Sequence, residues 1–160
     1  MTKIRLEGVR LSFPSIFQKA KFEGVEGKYE ATFLIPKSDT ETKDKLDNLI
    51  AEALKEANIK VPKDKICVKD GDDFEYDGYA DHWAFKASSK KRPPIIDRDK
   101  SALTEEDGKP YAGCYVTAIV DVWVQNNGYG KRVNGNLHGI QFVEHGDAFG
   151  DGGINIDDEF

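Results

Sequence analysis

Cysteine, methionine, histidine and proline are scarce in this 160-residue chain, with two, one, three and six residues respectively. Cys67 and Cys114 both sit in apolar, strand-like runs. That is not a disulfide scaffold; it reads as two buried thiols in a reducing compartment. His82, His138 and His145 share no helical i,i+4 spacing and have no cysteine at finger spacing, so no structural zinc is expected. No window approaches the roughly 20 apolar residues of a membrane span. Met1 to Arg5 alternates charged and apolar residues and has no signal-peptide core, which makes the cytoplasm the expected location. A nucleophile elbow is missing. Gly128-Tyr129-Gly130-Lys131 has neither the spacing nor the helix of a phosphate loop. No set of active-site residues stands out, and neither an enzyme nor a cofactor is expected.

What is present is an ordinary one-domain composition, 39% apolar and 32% charged. The net charge of -6 argues at first against a nucleic-acid partner. Its distribution argues otherwise. Glu144, Asp147, Asp151, Asp157, Asp158 and Glu159 are six of the 29 acids, and no Lys or Arg lies among residues 144–160. The 23 acids left in residues 1–143 balance 23 Lys and Arg, so all the net charge resides in one terminal segment. Such asymmetry suggests nucleic-acid traffic or an interaction tail.

Residues 3–13 alternate as a strand whose phase slips at Gly8, the mark of a bulge. Residues 28–36 form a second strand, stopped by Pro36. Residues 38–58 carry helical periodicity in Leu46, Leu49, Ile50, Ala53, Leu54 and Ala57, with Ser38 and Glu41 as a capping box and Asn58 as C-cap. A short strand is expected around Cys67 and another over 82–89. Residues 113–125 alternate most strongly: Val116, Ala118, Val120 and Val122 on a core face, Tyr115, Thr117, Ile119, Asp121 and Trp123 on a partly wet one. Asn126-Asn127-Gly128 turns the chain into a partner strand over 133–143. Many strands with one main helix point to a small barrel or a compact β-rich domain over 1–145, followed by a flexible acidic tail over 146–160. Asp73 to Gly78 begins like a calcium loop, but its twelfth position is Ala84, and an acidic solvated loop is the better account.

The chemistry that remains is aromatic rings interleaved with bases. Trp83 and Phe85 run into Lys86, Lys90, Lys91 and Arg92; Tyr115 opens the long strand; Trp123 leads to Tyr129, Lys131 and Arg132. Single-stranded nucleic acid is held without sequence preference in this way, by bases stacked on rings and phosphates followed by Lys and Arg. The chain ends Asp157-Asp158-Glu159-Phe160. A terminal aromatic carboxylate behind acids suits an apolar pocket rimmed by Arg or Lys on a partner protein, and the same polyanion can compete for the chain's own basic groove. Removing residues 144–160 is then expected to tighten DNA binding.

Several stretches together resemble the single-stranded-DNA-binding proteins of tailed phages and prophages. They are Val9-Arg10-Leu11-Ser12-Phe13-Pro14 with Phe17, Tyr29 to Lys37, Pro94 to Asp99, Gly139 to Val143, and Gly146 to Phe149 with the acidic tail. The resemblance implies an OB-type Greek-key β-barrel, single-stranded DNA as partner, replication and recombination proteins docking on Asp157, Asp158, Glu159 and Phe160, and the cytoplasm of a bacterial host. It implies no membrane partner and leaves a homo-oligomer open. A simple OB layout places its helix between the third and fourth strands, whereas here the helix follows the second. Two rival readings are a protein-only adaptor, and a metal-dependent nuclease using Asp97, Asp99 and Asp121.

Overall fold

The computed structural model describes residues 3–149 apart from Ala20, Glu23 and Gly24. The strongly alternating run becomes β8 (Tyr115–Asn127), and its hairpin partner is β9 (Gly130–Glu144). Asn127 and Gly130 are the last paired residues, so Gly128 and Tyr129 form the tip. β8 also pairs with β1 (Ile4–Ser15), which pairs with β4 (Tyr29–Pro36), which pairs with β6 (His82–Ser89), all antiparallel. β6 then meets β9 in parallel through Ala87 opposite Gly135 and Ser88 opposite Asn136. The ring β1-β4-β6-β9-β8 is thus closed as an OB-type barrel. A side chain at position 135 would block that closure: a Cβ there would lie 2.5 Å from the Lys86 carbonyl oxygen and 2.8 Å from the Phe85 ring.

Smaller elements decorate the ring. The ribbon of β2 (Lys21–Phe22) and β3 (Val25–Glu26) lies in the connection from β1 to β4. β5 (Val68–Asp70) extends the sheet beside β6, and β7 (Ile95–Ile96) does so beside β9. α1 (Thr40–Ala57) buries Leu46, Leu49 and Ile50 against the core. It connects the second barrel strand, β4, to the third, β6. Asp39 rather than Ser38 is its N-cap: the carboxylate accepts from Thr42 N at 3.2 Å and from Thr42 Oγ1 at 2.7 Å. Asn58 closes the other end in the left-handed region, as its C-cap role requires. Among the described residues no helix is long and apolar enough to cross a membrane.

Inside the barrel, Leu6, Leu11, Phe33, Ile35, Phe85, Val116, Val120 and Phe142 are fully buried. Each such side chain contributes about 1.5–3 kcal/mol through removal from water. The slip expected at Gly8 is present, with the β1–β8 register shifting between Leu6 and Val9 and Gly8 at φ +62°. The division expected at 145/146 falls within packed chain: Tyr111 Oη donates to Gly146 O at 3.1 Å, and Phe149 N donates to Ala112 O at 3.0 Å. Asp157, Asp158, Glu159 and Phe160 lie outside the described residues.

Candidate nucleic-acid interface

A groove of about 780 Å³ runs over the outer face of β4 and β6. Strand alternation builds its floor. Phe33, Ile35, Phe85 and Ala87 point into the barrel, so Thr32, Ala84, Lys86 and Ser88 point out into the groove. Lys65, Cys67 and Lys69 form one wall, and Arg132 and Asn134 of β9 contribute another. Glu30, 3.4 Å from Lys86 Nζ, and Asp64 are the acids among the lining residues. A second concavity of about 260 Å³ shares Ser88 with the groove and holds Trp123, Lys28, Lys90 and Asn136.

Aromatic rings gather at one end. In β1, Leu11 faces the core and Ser12 shares a 3.0 Å hydrogen bond with Tyr79 Oη. Strict alternation would send Phe13 inward. Instead the register with β4 shifts between Ser12 and Ser15, and Phe13 takes φ +46°. A positive φ on a bulky residue is a genuine outlier, and bulges re-aim side chains in this way. Phe13 ends 48% exposed, its ring 4.9 Å from Tyr76 in an edge contact. Tyr76, 53% exposed, also stacks on Phe74 at 5.9 Å and meets Tyr79 at 5.2 Å. Tyr79 itself is buried against Leu34 and Ala84. Burial raises its phenol pKa.

The loop carrying Phe74, Tyr76 and Tyr79 is acidic, and Asp70 and Asp72 at its start help to fold it. Lys37 Nζ sits 2.7 Å from Asp70 and 2.6 Å from Asp72. Asp70 accepts from Asp72 N at 2.9 Å and Asp72 from Asp81 N at 2.9 Å. The hydrogen bonds from Lys37 hold both carboxyl groups below the usual aspartate range and raise the lysine in return.

The residues singled out from sequence divide. Lys86 and Arg132 line the groove, and Lys90 and Trp123 line the adjoining concavity. Tyr129 is 90% exposed at the hairpin tip, with Lys131 exposed beside it. Lys91 is exposed, and Arg92 donates to Phe17 O at 2.7 Å. Three rings do not line the groove. Phe85 is fully buried in the barrel and has no face for a base. Trp83 shares that inward parity and packs on the core, with Lys37 Nζ 4.8 Å and Lys43 Nζ 4.3 Å from its ring centre. Tyr115 lies outside the groove, beneath Arg10 at 5.7 Å and beside Gly146. Phe13, Phe74 and Tyr76 line the groove and were not singled out from sequence. The signal was three rings, Phe74, Tyr76 and Tyr79, within six residues of a loop whose acids alone suggested a solvated surface.

The acids of the nuclease reading are each engaged locally. Asp97 pairs with Lys109 at 2.9 Å, Asp99 accepts from Ser101 N at 3.0 Å, and Asp121, buried in β8, accepts from Asn136 at 2.7 Å. Burial raises both thiols, Cys67 to about 12, so neither is a thiolate near neutrality.

A barrel closed by a parallel third-to-fifth strand pair, with rings and cations along the outside of its second and third strands, defines a class of oligonucleotide-binding modules. Residues 2–160 match the family model described as the ssDNA-binding protein of Enterobacter phage Enc34, and the chain belongs to that family. The putative protein p50 of Acyrthosiphon pisum secondary endosymbiont phage 1 is 42% identical over 170 residues, covering 99% of this chain and 92% of that protein. The single-stranded DNA-binding protein from bacteriophage Enc34, solved in complex with ssDNA, superposes with a TM-score of 0.87 at 30% identity, covering 92% of this chain and 89% of that one. Bacteriophage T7 gp2.5, a single-stranded DNA-binding protein, shares the fold with a TM-score of 0.61 at 14% identity, covering 98% of this chain and 92% of its own.

Proposed function

We propose that this chain binds single-stranded DNA without sequence preference and without catalysis, in phage replication or recombination within the host cytoplasm. The observation that carries the reading is one continuous surface. Phe13 and Tyr76 offer ring faces at one end, Lys65, Lys69, Lys86 and Arg132 follow along the groove, and Ser88 leads to Trp123 and Lys90. Rings hold bases and cations hold phosphates. Lys91, Lys131 and Tyr129 extend the contact beside the groove. Membership of the family, with a solved relative described in complex with ssDNA, supports the same partner.

The test is tryptophan fluorescence titrated with oligo-dT at two salt concentrations. Trp83 and Trp123 are the two tryptophans. Quenching is expected to survive Trp83→Phe and vanish in Trp123→Phe, because Trp123 borders the DNA path. With about five phosphates contacted, log affinity falls against log salt with a slope near -3.5. No quenching and no gel shift with dT would defeat the reading and favour a protein-only adaptor.

Asp157, Asp158, Glu159 and Phe160 serve in this proposal as a docking peptide for replication or recombination partners and as an internal competitor for the groove. Because residues 145–149 are packed, the informative deletion begins at Gly150 rather than at Glu144. Loss of residues 150–160 is expected to tighten dT binding several-fold at low salt, with the gain shrinking as salt screens the acids. Equal affinity with and without the segment would refute self-competition.

A further inference from the structure

On the outer face of the barrel, opposite the main core across β4 and β6, lies a second apolar cluster. Leu34, Tyr79 and Ala84 are its buried members, and Phe74 and Phe149 pack against it. Phe149 therefore shares a cluster with two rings of the loop that presents Tyr76, although seventy residues separate them. Its ring lies against Gly78, which has φ +81°, and a Cβ at that position would overlap Phe149 Cζ. The Arg10 guanidinium lies over the ring, 4.3 Å from its centre. Arg10 also ties the approaching chain to β1, donating from Nη2 to Asp147 O at 2.8 Å and from Nε to Gly113 O at 2.9 Å. Gly113, at φ +106°, is required by the same strap: a Cβ there would overlap the Asp147 carbonyl oxygen. Phe149 N is anchored in turn on Ala112 O at 3.0 Å. The strap at 145–149 is a fitted part of the domain, and it ends in a ring seated behind the aromatic loop.

We infer that Phe149 is a positioning residue for DNA binding: with Arg10 over its ring and Gly78 at its edge, it backs the loop that holds Tyr76 against Phe13 at the end of the groove. The inference rests on the proposed DNA path. Phe149 touches Gly78 and the Tyr79 cluster, whereas Tyr76, on the groove side, meets Tyr79 at 5.2 Å and Phe13 at 4.9 Å. Without Phe149, the cluster loses its rear wall and Tyr76 loses its fixed position relative to Phe13. A stacking platform that must be ordered by the incoming base binds more weakly than one already in place.

The experiment is a double-mutant cycle on the full-length chain, read by oligo-dT affinity. Tyr76→Ala and Phe149→Ala are each expected to weaken binding about 10-fold, the scale of one stacked base. The double variant is expected to be little weaker than Tyr76→Ala alone, because both substitutions remove one platform. Phe149→Leu, which refills the seat, restores most of the affinity. The salt slope stays unchanged in all of them, since no cation is removed. Amide exchange at Tyr79 and His82 is expected to accelerate in Phe149→Ala while the barrel strands stay protected. Wild-type affinity in Phe149→Ala, or losses that multiply in the double variant, would overturn the positioning role alone. Wild-type affinity in Tyr76→Ala would take the DNA path off this end of the groove and overturn this role with it.

Discussion

Replacing Phe13 and Tyr76 together by alanine is expected to lower affinity for oligo-dT about 30-fold and to leave the thermal midpoint close to that of the parent. Base stacking on an aromatic ring is worth about 1–3 kcal/mol by alanine substitution, and 1.4 kcal/mol is tenfold in affinity. The two rings meet edge to face at 4.9 Å, so their losses are coupled and fall short of a simple sum. Both are about half exposed, at 48% and 53%, so little buried area is lost with them. Anisotropy of a labelled dT oligonucleotide at fixed salt measures the loss, and a thermal melt checks the fold. A double variant that binds like the parent would move the DNA path off this end of the groove.

Local signals made most of the fold readable, and non-local ones limited the reading of the site. Proline stops, one amphipathic helix and the apolar face of Val116, Ala118, Val120 and Val122 are short-range features, and β4, α1, β6 and β8 lie close to where these place them. The capping residue moved by one position because both Ser38 and Asp39 can cap, and Asp39 is the one that reaches Thr42 N. Two things were not readable. A bulge of one residue reverses side-chain parity, and nothing in Ser12-Phe13-Pro14 states on which side of the shift Phe13 falls. The closure of β6 on β9 joins Ala87 to Gly135 across nearly fifty residues, and it is this closure that makes the Trp83, Phe85 and Ala87 face the inside of a barrel. Lys86 alternates with Phe85, so the error that took Phe85 for a platform still left Lys86 facing the groove.

Phe85→Ala separates the two faces of β6 by a second large effect. Phe85 is fully buried, opposite Phe33 in the β4–β6 register, and its ring lies where a Cβ on Gly135 would be 2.8 Å away. Removing it deletes the packing at the seam where the barrel closes. A buried Phe→Ala change costs about 3–5 kcal/mol, through lost transfer energy and an unfilled cavity. Against a typical total of about 5–15 kcal/mol, that is a large share of the stability. A domain of this size then melts roughly 10 °C lower, and urea unfolding shows a matching fall in midpoint. Affinity for dT, measured well below the new midpoint, is expected to stay within about twofold, because no atom of the Phe85 ring is exposed to the groove. A 10-fold loss of affinity at unchanged stability would be the signature of a stacking platform and would reverse the parity assigned to β6. The opposed outcomes expected for Phe85 and Tyr76, stability without affinity and affinity without stability, test which side of this sheet meets DNA.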